Sequence, residues 1–146
     1  MNSKKLLDWL YPRRCAFCDE VLGSMEKYLC HSCQRRMPKP IGESNCKKCG
    51  KPLVDERKEF CTDCGKKHHV YTQGKAVFVY EGGIRNSMYR FKYGNKREYA
   101  EFYANAAVEK YGVWLNKIKA EVLIPIPMYS RKKRLRGYNQ AEVFAR

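Results

Sequence analysis

Histidine is scarce in this 146-residue chain, with three residues, and acidic side chains are half as common as basic ones, 15 against 30. The three histidines are not expected to be ligands, and the shortage of acids leaves a formal charge of +15. An export signal is also missing from the opening MNSKKLLDWLYPRR, where Asp8 interrupts an apolar run already too short for a signal peptide. A secreted disulfide framework is therefore not expected, and neither is membrane insertion. Long apolar periodicity is absent between residues 12 and 65, which Pro12, Pro38, Pro40 and Pro52 punctuate. That stretch cannot bury enough core to fold by itself.

What the stretch does have is cysteine. Cys15, Cys18, Cys30 and Cys33 are followed by Cys46, Cys49, Cys61 and Cys64, as four CxxC pairs with eleven residues between the pairs of each set and an offset of 31 between sets. A CxxC puts two thiolates on one tight knuckle, and a second knuckle completes a tetrahedral shell. The expected cofactor is zinc, two structural ions, with iron–sulfur ligation as the alternative because thiolates alone do not name the metal. Closed shells of four thiolates leave no position for water or substrate, so no Lewis-acid chemistry is expected. Spacing allows either sequential quartets or a cross-brace of first with third and second with fourth pairs. The 31-residue offset, with Leu22 matching Leu53 and Leu29 matching Phe60, favours the sequential form. His68 and His69, beside Lys66 and Lys67, read as a solvated linker.

Charge separates the two parts of the chain. Residues 1–65 carry 13 basic and 9 acidic residues, an excess that two zinc ions with four thiolates each would cancel. Residues 66–146 carry 17 basic and 6 acidic residues. A polyanion partner would bind there.

The periodicity gives an N-terminal helix over 1–11, stopped by Pro12, a zinc region over 12–66, and a second domain over 67–146. Within the last, Ala76 to Tyr80 has strand composition, Ile84, Met88 and Phe91 recur at helical spacing, and Gly94-Asn95 marks a turn. A longer helix is expected from about Arg97 to Lys117, burying Phe102, Ala106 and Val113. Tyr89, Tyr93, Tyr99, Tyr103 and Tyr111 fit core and rim packing better than base stacking. The apolar run from Val122 to Pro127 reads as a strand covered on both faces, ending near Pro125 and Pro127. A basic turn follows, in which five of the six residues 131–136 are Lys or Arg, and Asn139 with Glu142 forms a capping pair for a helix. Strand, basic loop and helix N-terminus together suit an anion: Arg131, Arg134 and Arg136 as donors, Gly137 for close approach.

LLDWLYPRRCAFC, the four CxxC pairs, YEGGIRNSMYRFKYGNKREYAEFYA and IPIPMYSRKKRLRGYNQAEVFAR resemble the bacterial competence-protein ComF family along essentially the whole chain. The resemblance implies an α/β protein: a double zinc ribbon followed by the first part of a phosphoribosyltransferase-like parallel-sheet domain. Cys15 through Cys64 would be the zinc ligands, and Arg134, Arg136, Gly137, Asn139 and Gln140 the turn beside the pyrophosphate loop. The family's acidic pair and Thr/Gly-rich phosphate loop are not found in these residues, so the second domain reads as truncated. PRPP is not expected to bind, nor phosphoribosyl transfer to occur. The implied role is that of a cytoplasmic accessory protein in DNA uptake during natural transformation. It would handle single-stranded DNA, or another phosphorylated ligand, through phosphate contacts and would work with other competence proteins. A phosphoribosyltransferase completed by residues beyond 146 and a plain zinc-ribbon adaptor for nucleic acid or protein are the alternatives.

Overall fold

A computed structural model describes residues 10–146. Apart from Leu10 and Tyr11, the expected N-terminal helix lies outside the described residues. The elements are α1 (His31–Arg36), α2 (Thr62–Lys66), α3 (Gly82–Tyr93), α4 (Tyr99–Ile118), α5 (Ser130–Arg136) and α6 (Gln140–Phe144). They belong to two compact units, one joining the residues up to Met37 with Gly82–Arg146, the other formed by Pro38–Glu81. Long-range packing thus divides the chain between the two cysteine quartets, whereas composition changes after the second.

In the first unit, helical periodicity on α3 buries Ile84, Ser87 and Phe91. Gly94 and Asn95 make the expected turn, with the Gly94 N–H on the Arg90 carbonyl at 2.7 Å and Asn95 at a φ of 54°. The first turns of α4 then bring Tyr99, Ala100, Phe102 and Tyr103 into the core. Phe91 meets the rings of Tyr103 and Tyr138, with centroids 6.0 and 5.9 Å apart. The buried phenols find acceptors, as such groups must: Tyr138 donates to the Phe91 carbonyl and Tyr103 to Ser87 Oγ at 2.7 Å. The expected stripe on α4 holds only at its start. Phe102 is buried and Ala106 is half-buried, but Val113 is 87% exposed, because the partners that cover α4 face only its first turns.

Three further expectations are corrected. Ala76 to Tyr80 and Val122 to Pro127 are not strands; among the described residues the only β-type pairings are isolated bridges, Arg14 with Val21 and Asn45 with Pro52. Strand composition measures fit to a pleated surface, and without a ladder partner that preference has nothing to act on. The parallel sheet is accordingly not observed among the described residues. Third, the basic turn is the helix α5, since Lys, Arg and Leu are good helix formers whose charge says nothing against a helix.

In the second unit, the segment around Ala76 packs on the second quartet. The Gly74 N–H donates to the Lys48 carbonyl at 2.6 Å, and Val77 accepts from the Ile41 N–H at 2.7 Å.

Candidate metal centres and basic face

Each knuckle is a short hydrogen-bonded loop. The Cys15 and Cys46 carbonyls accept from the N–H groups of Asp19 and Gly50 at 2.9 and 2.8 Å, and their own N–H groups bond Glu20 and Lys51 carbonyls, both at 2.8 Å. The 31-residue offset recurs bond by bond. Ala16 N–H to Tyr28 matches Lys47 N–H to Glu59, both at 2.9 Å, and Leu22 N–H to Arg13 matches Leu53 N–H to Ser44, at 2.8 and 3.1 Å. Both isolated bridges and the short helices α1 and α2 obey the same offset. The two ribbons are one unit built twice.

Within each ribbon the ligands converge. Cys15, Cys18, Cys30 and Cys33 form one group and Cys46, Cys49, Cys61 and Cys64 the other, with the sulfurs of each group within 4.8 Å of one another. The quartets are sequential, not cross-braced. The sulfurs of Cys18 and Cys30 stand 3.6 Å apart, those of Cys49 and Cys61 3.8 Å. Four thiolates about 2.3 Å from a tetrahedral zinc lie roughly 3.8 Å from one another, whereas a disulfide needs about 2.05 Å. All eight are free thiols. The quartets fit two structural zinc ions, whose binding supplies folding energy that these short loops lack. The thiols themselves are unevenly poised. The Ser32 hydroxyl helps hold Cys30 down at about 6. Burial would raise Cys46, but backbone N–H groups of Cys61, Cys49 and Lys48 outweigh it and bring the thiol to about 6. Burial and neighbouring thiols push Cys33 and Cys64 up to about 12. None of the histidines joins either group, and His69 packs against Tyr71 with ring centroids 5.0 Å apart.

The two copies differ where the knuckle ends. Asp19 and Gly50 occupy equivalent positions at φ values of 71° and 75°. At Gly50 a Cβ would lie 2.6 Å from the Ala76 nitrogen, so no side chain fits. Asp19 tolerates the same left-handed backbone and uses its carboxylate, which accepts from the Tyr99 hydroxyl at 2.5 Å and pairs with Lys96 at 3.0 Å. Burial pushes the Asp19 carboxyl up, but Tyr99 and Lys96 outweigh it and hold it below the usual range. Burial and the Asp19 charge raise Tyr99, which stays protonated. The first knuckle also offers its carbonyls to α3: Ala16 accepts from the Ser87 hydroxyl and Phe17 from Arg90 at 3.3 Å. Phe17 lies so close against Gly83 that a Cβ there would collide with the ring. Sequence reasoning passes over Asp19; the mismatch with Gly50 at the 31-residue offset is the signal that marks it.

The anion-binding residues expected from the sequence separate into two groups. Arg131 and Arg134 are exposed on α5, as is Lys132, and none of the three pairs with an acid among the described residues. Lys133 is paired with Glu142 at 3.0 Å. The others are engaged within the fold. Arg136 donates to Gln140 Oε1 and lies 4.8 Å from the Tyr93 ring centroid. Gly137 caps α5 at a φ of 82°, and its carbonyl accepts from Arg97 at 2.9 Å. Asn139 caps α6 as expected, its side chain accepting from the Ala141 N–H at 3.1 Å and donating to the Ile126 carbonyl at 3.0 Å. Glu142 does not reach back in a capping box; it accepts from Lys133 at 3.0 Å and pairs with Arg146 at 3.8 Å.

No helix among the described residues is long and apolar enough to cross a membrane. The double zinc ribbon domain family matches residues 6–65. Competence protein ComFC of Bacillus subtilis (strain 168) is 26% identical over 129 residues, covering 82% of this chain and 51% of its own length. The chain therefore spans about half the length of the curated relative it matches. No solved structure gives a significant match. The two sequential four-cysteine quartets lie within the region that matches the double zinc ribbon domain, and the similarity to the competence protein ComFC extends beyond that region.

Proposed function

We propose that this ComF-like zinc protein handles single-stranded DNA during natural transformation, through phosphate contacts and without chemistry of its own. The observation that carries the reading is the outward face of α5, where Arg131, Lys132 and Arg134 stand exposed and without acidic partners among the described residues. Residues 66–146, which include α5, hold 17 basic against 6 acidic residues, an excess that zinc does not offset. The name of the B. subtilis relative, a competence protein, supports the same assignment. The protein acts in the cytoplasm beside other competence proteins.

We also infer a phosphoribosyltransferase-like parallel-sheet domain, a reading supported by the apolar run that follows α4. The run pairs with no strand among the described residues, and Val122, Leu123, Ile124 and Ile126 are between 70 and 79% exposed; that apolar composition suits a strand covered on both faces once a ladder partner is present.

The DNA reading is tested by fluorescence anisotropy with a labelled oligothymidylate over a range of salt concentrations. Affinity should fall steeply with salt, since counterions are released on binding. Arg131→Ala with Arg134→Ala should weaken binding and flatten the salt slope by about 1.4, two phosphate contacts' worth for a single strand. Unchanged affinity and slope in that variant would remove α5 as the contact.

A further inference from the structure

Two groups of tyrosines in the first unit differ sharply in exposure. Tyr99, Tyr103 and Tyr138 are 1, 5 and 4% exposed, and their hydroxyls reach acceptors inside the fold. Tyr89 and Tyr93 are 62 and 64% exposed and turn their rings toward each other, with centroids 4.9 Å apart and planes tilted by 45°. Core packing does not account for them. They stand four residues apart on α3, about 6 Å along its axis, with the exposed Arg85 one further step of four before them. The sequence of α3, GGIRNSMYRFKY, holds no acid. From α5, Arg136 places its guanidinium over Tyr93, 4.8 Å from the ring centroid, held there by Gln140. An adjacent pair of exposed aromatic rings beside an arginine plane, with unpaired cations on the neighbouring helix, has the makings of a single-strand site: stacking surface for bases and charge for the backbone.

We propose that Tyr89 and Tyr93, backed by Arg136, form a base-stacking platform for single-stranded DNA next to the phosphate-binding face of α5. This rests on the DNA reading above and assigns it a second kind of contact. Phosphates of the strand meet Arg131, Lys132 and Arg134, and its bases lie on the tyrosines. Because every base has a π-face, such a platform gives affinity with little sequence preference. It also gives Arg136, which the fold holds against Tyr93, a role distinct from that of the solvent-facing arginines.

The experiment compares the full zinc-loaded chain's binding to an oligothymidylate and to an abasic strand of the same length, which keeps the phosphates and lacks the bases. The wild type should bind the oligothymidylate about tenfold or more tightly than the abasic strand. Tyr89→Ala with Tyr93→Ala should abolish that preference while leaving abasic binding and zinc content unchanged, and Tyr89→Phe with Tyr93→Phe should retain it. Equal wild-type affinity for both strands, with Arg131→Ala and Arg134→Ala weakening both, would overturn the platform and leave phosphate binding standing. Failure to bind either strand would overturn both.

Discussion

Asp19 sits in a left-handed conformation that costs an ordinary L-residue roughly 1–2 kcal/mol, at the end of a knuckle whose twin uses glycine. Its contacts with Tyr99 and Lys96 offset that cost, and the two effects can be separated by substitution. Asp19→Gly loses the contacts and relieves the backbone, whereas Asp19→Ala loses the contacts and keeps the strain. Thermal unfolding should therefore rank wild type above Asp19→Gly, and Asp19→Gly above Asp19→Ala by about 1 kcal/mol. The charge leaves a pH signature as well. Because the folded carboxyl is held below its usual range, its contribution is complete above the unfolded value near 4 and is lost as pH falls through the lower folded value. The stability difference between wild type and Asp19→Asn, followed by denaturant titration, should be constant at neutral pH and shrink below about pH 4. The left-handed position is legible in the repeat, since Gly50 stands 31 residues on; Tyr99, 80 residues away, is not, because only packing brings it there.

The two ribbons repeat each other's hydrogen bonds yet serve different neighbours. The first gives its knuckle carbonyls, Ala16 and Phe17, to side chains of α3 and its Asp19 to α4; the second is wrapped by the segment around Ala76. Removing one zinc should thus have an effect specific to that ribbon. Cys18→Ser with Cys30→Ser should expose α3 and the start of α4 to limited proteolysis and reduce helical circular dichroism. Cys49→Ser with Cys61→Ser should open residues 38–81 to protease and leave those helices protected. Gly50→Ala should resemble the second variant, since its Cβ would collide with the Ala76 backbone. Helices α3, α4 and α6 are readable because apolar spacing and the Asn139 cap are local features. The runs at 76–80 and 122–127 mislead because a strand is made by its partner, and α5 because a run of charge resembles a loop. Tyr89 and Tyr93 show the same limit: spacing puts them on a helix, and only the packing shows that they face solvent.

Across the whole molecule, metal and charge are segregated. The zinc–thiolate shells offset the charge of the cysteine-rich part and fold it, and the basic excess of residues 66–146 remains for a ligand. The eight ligands are legible in the CxxC spacing, which leaves sequential and cross-braced pairing both open; the 31-residue offset favours the sequential quartets that the structure shows. Protons compete with zinc for the thiolates, so zinc retention on dialysis should drop steeply as the solution is acidified. The chain holds two independent sites. The most direct test is zinc content, by elemental analysis, of the wild type and of Cys18→Ser with Cys30→Ser. Those two cysteines share one ion in sequential quartets and serve different ions in a cross-brace. Sequential quartets require two zinc ions per chain in the wild type and one in the variant; a variant that retains none, or a wild type with fewer than two, would contradict them.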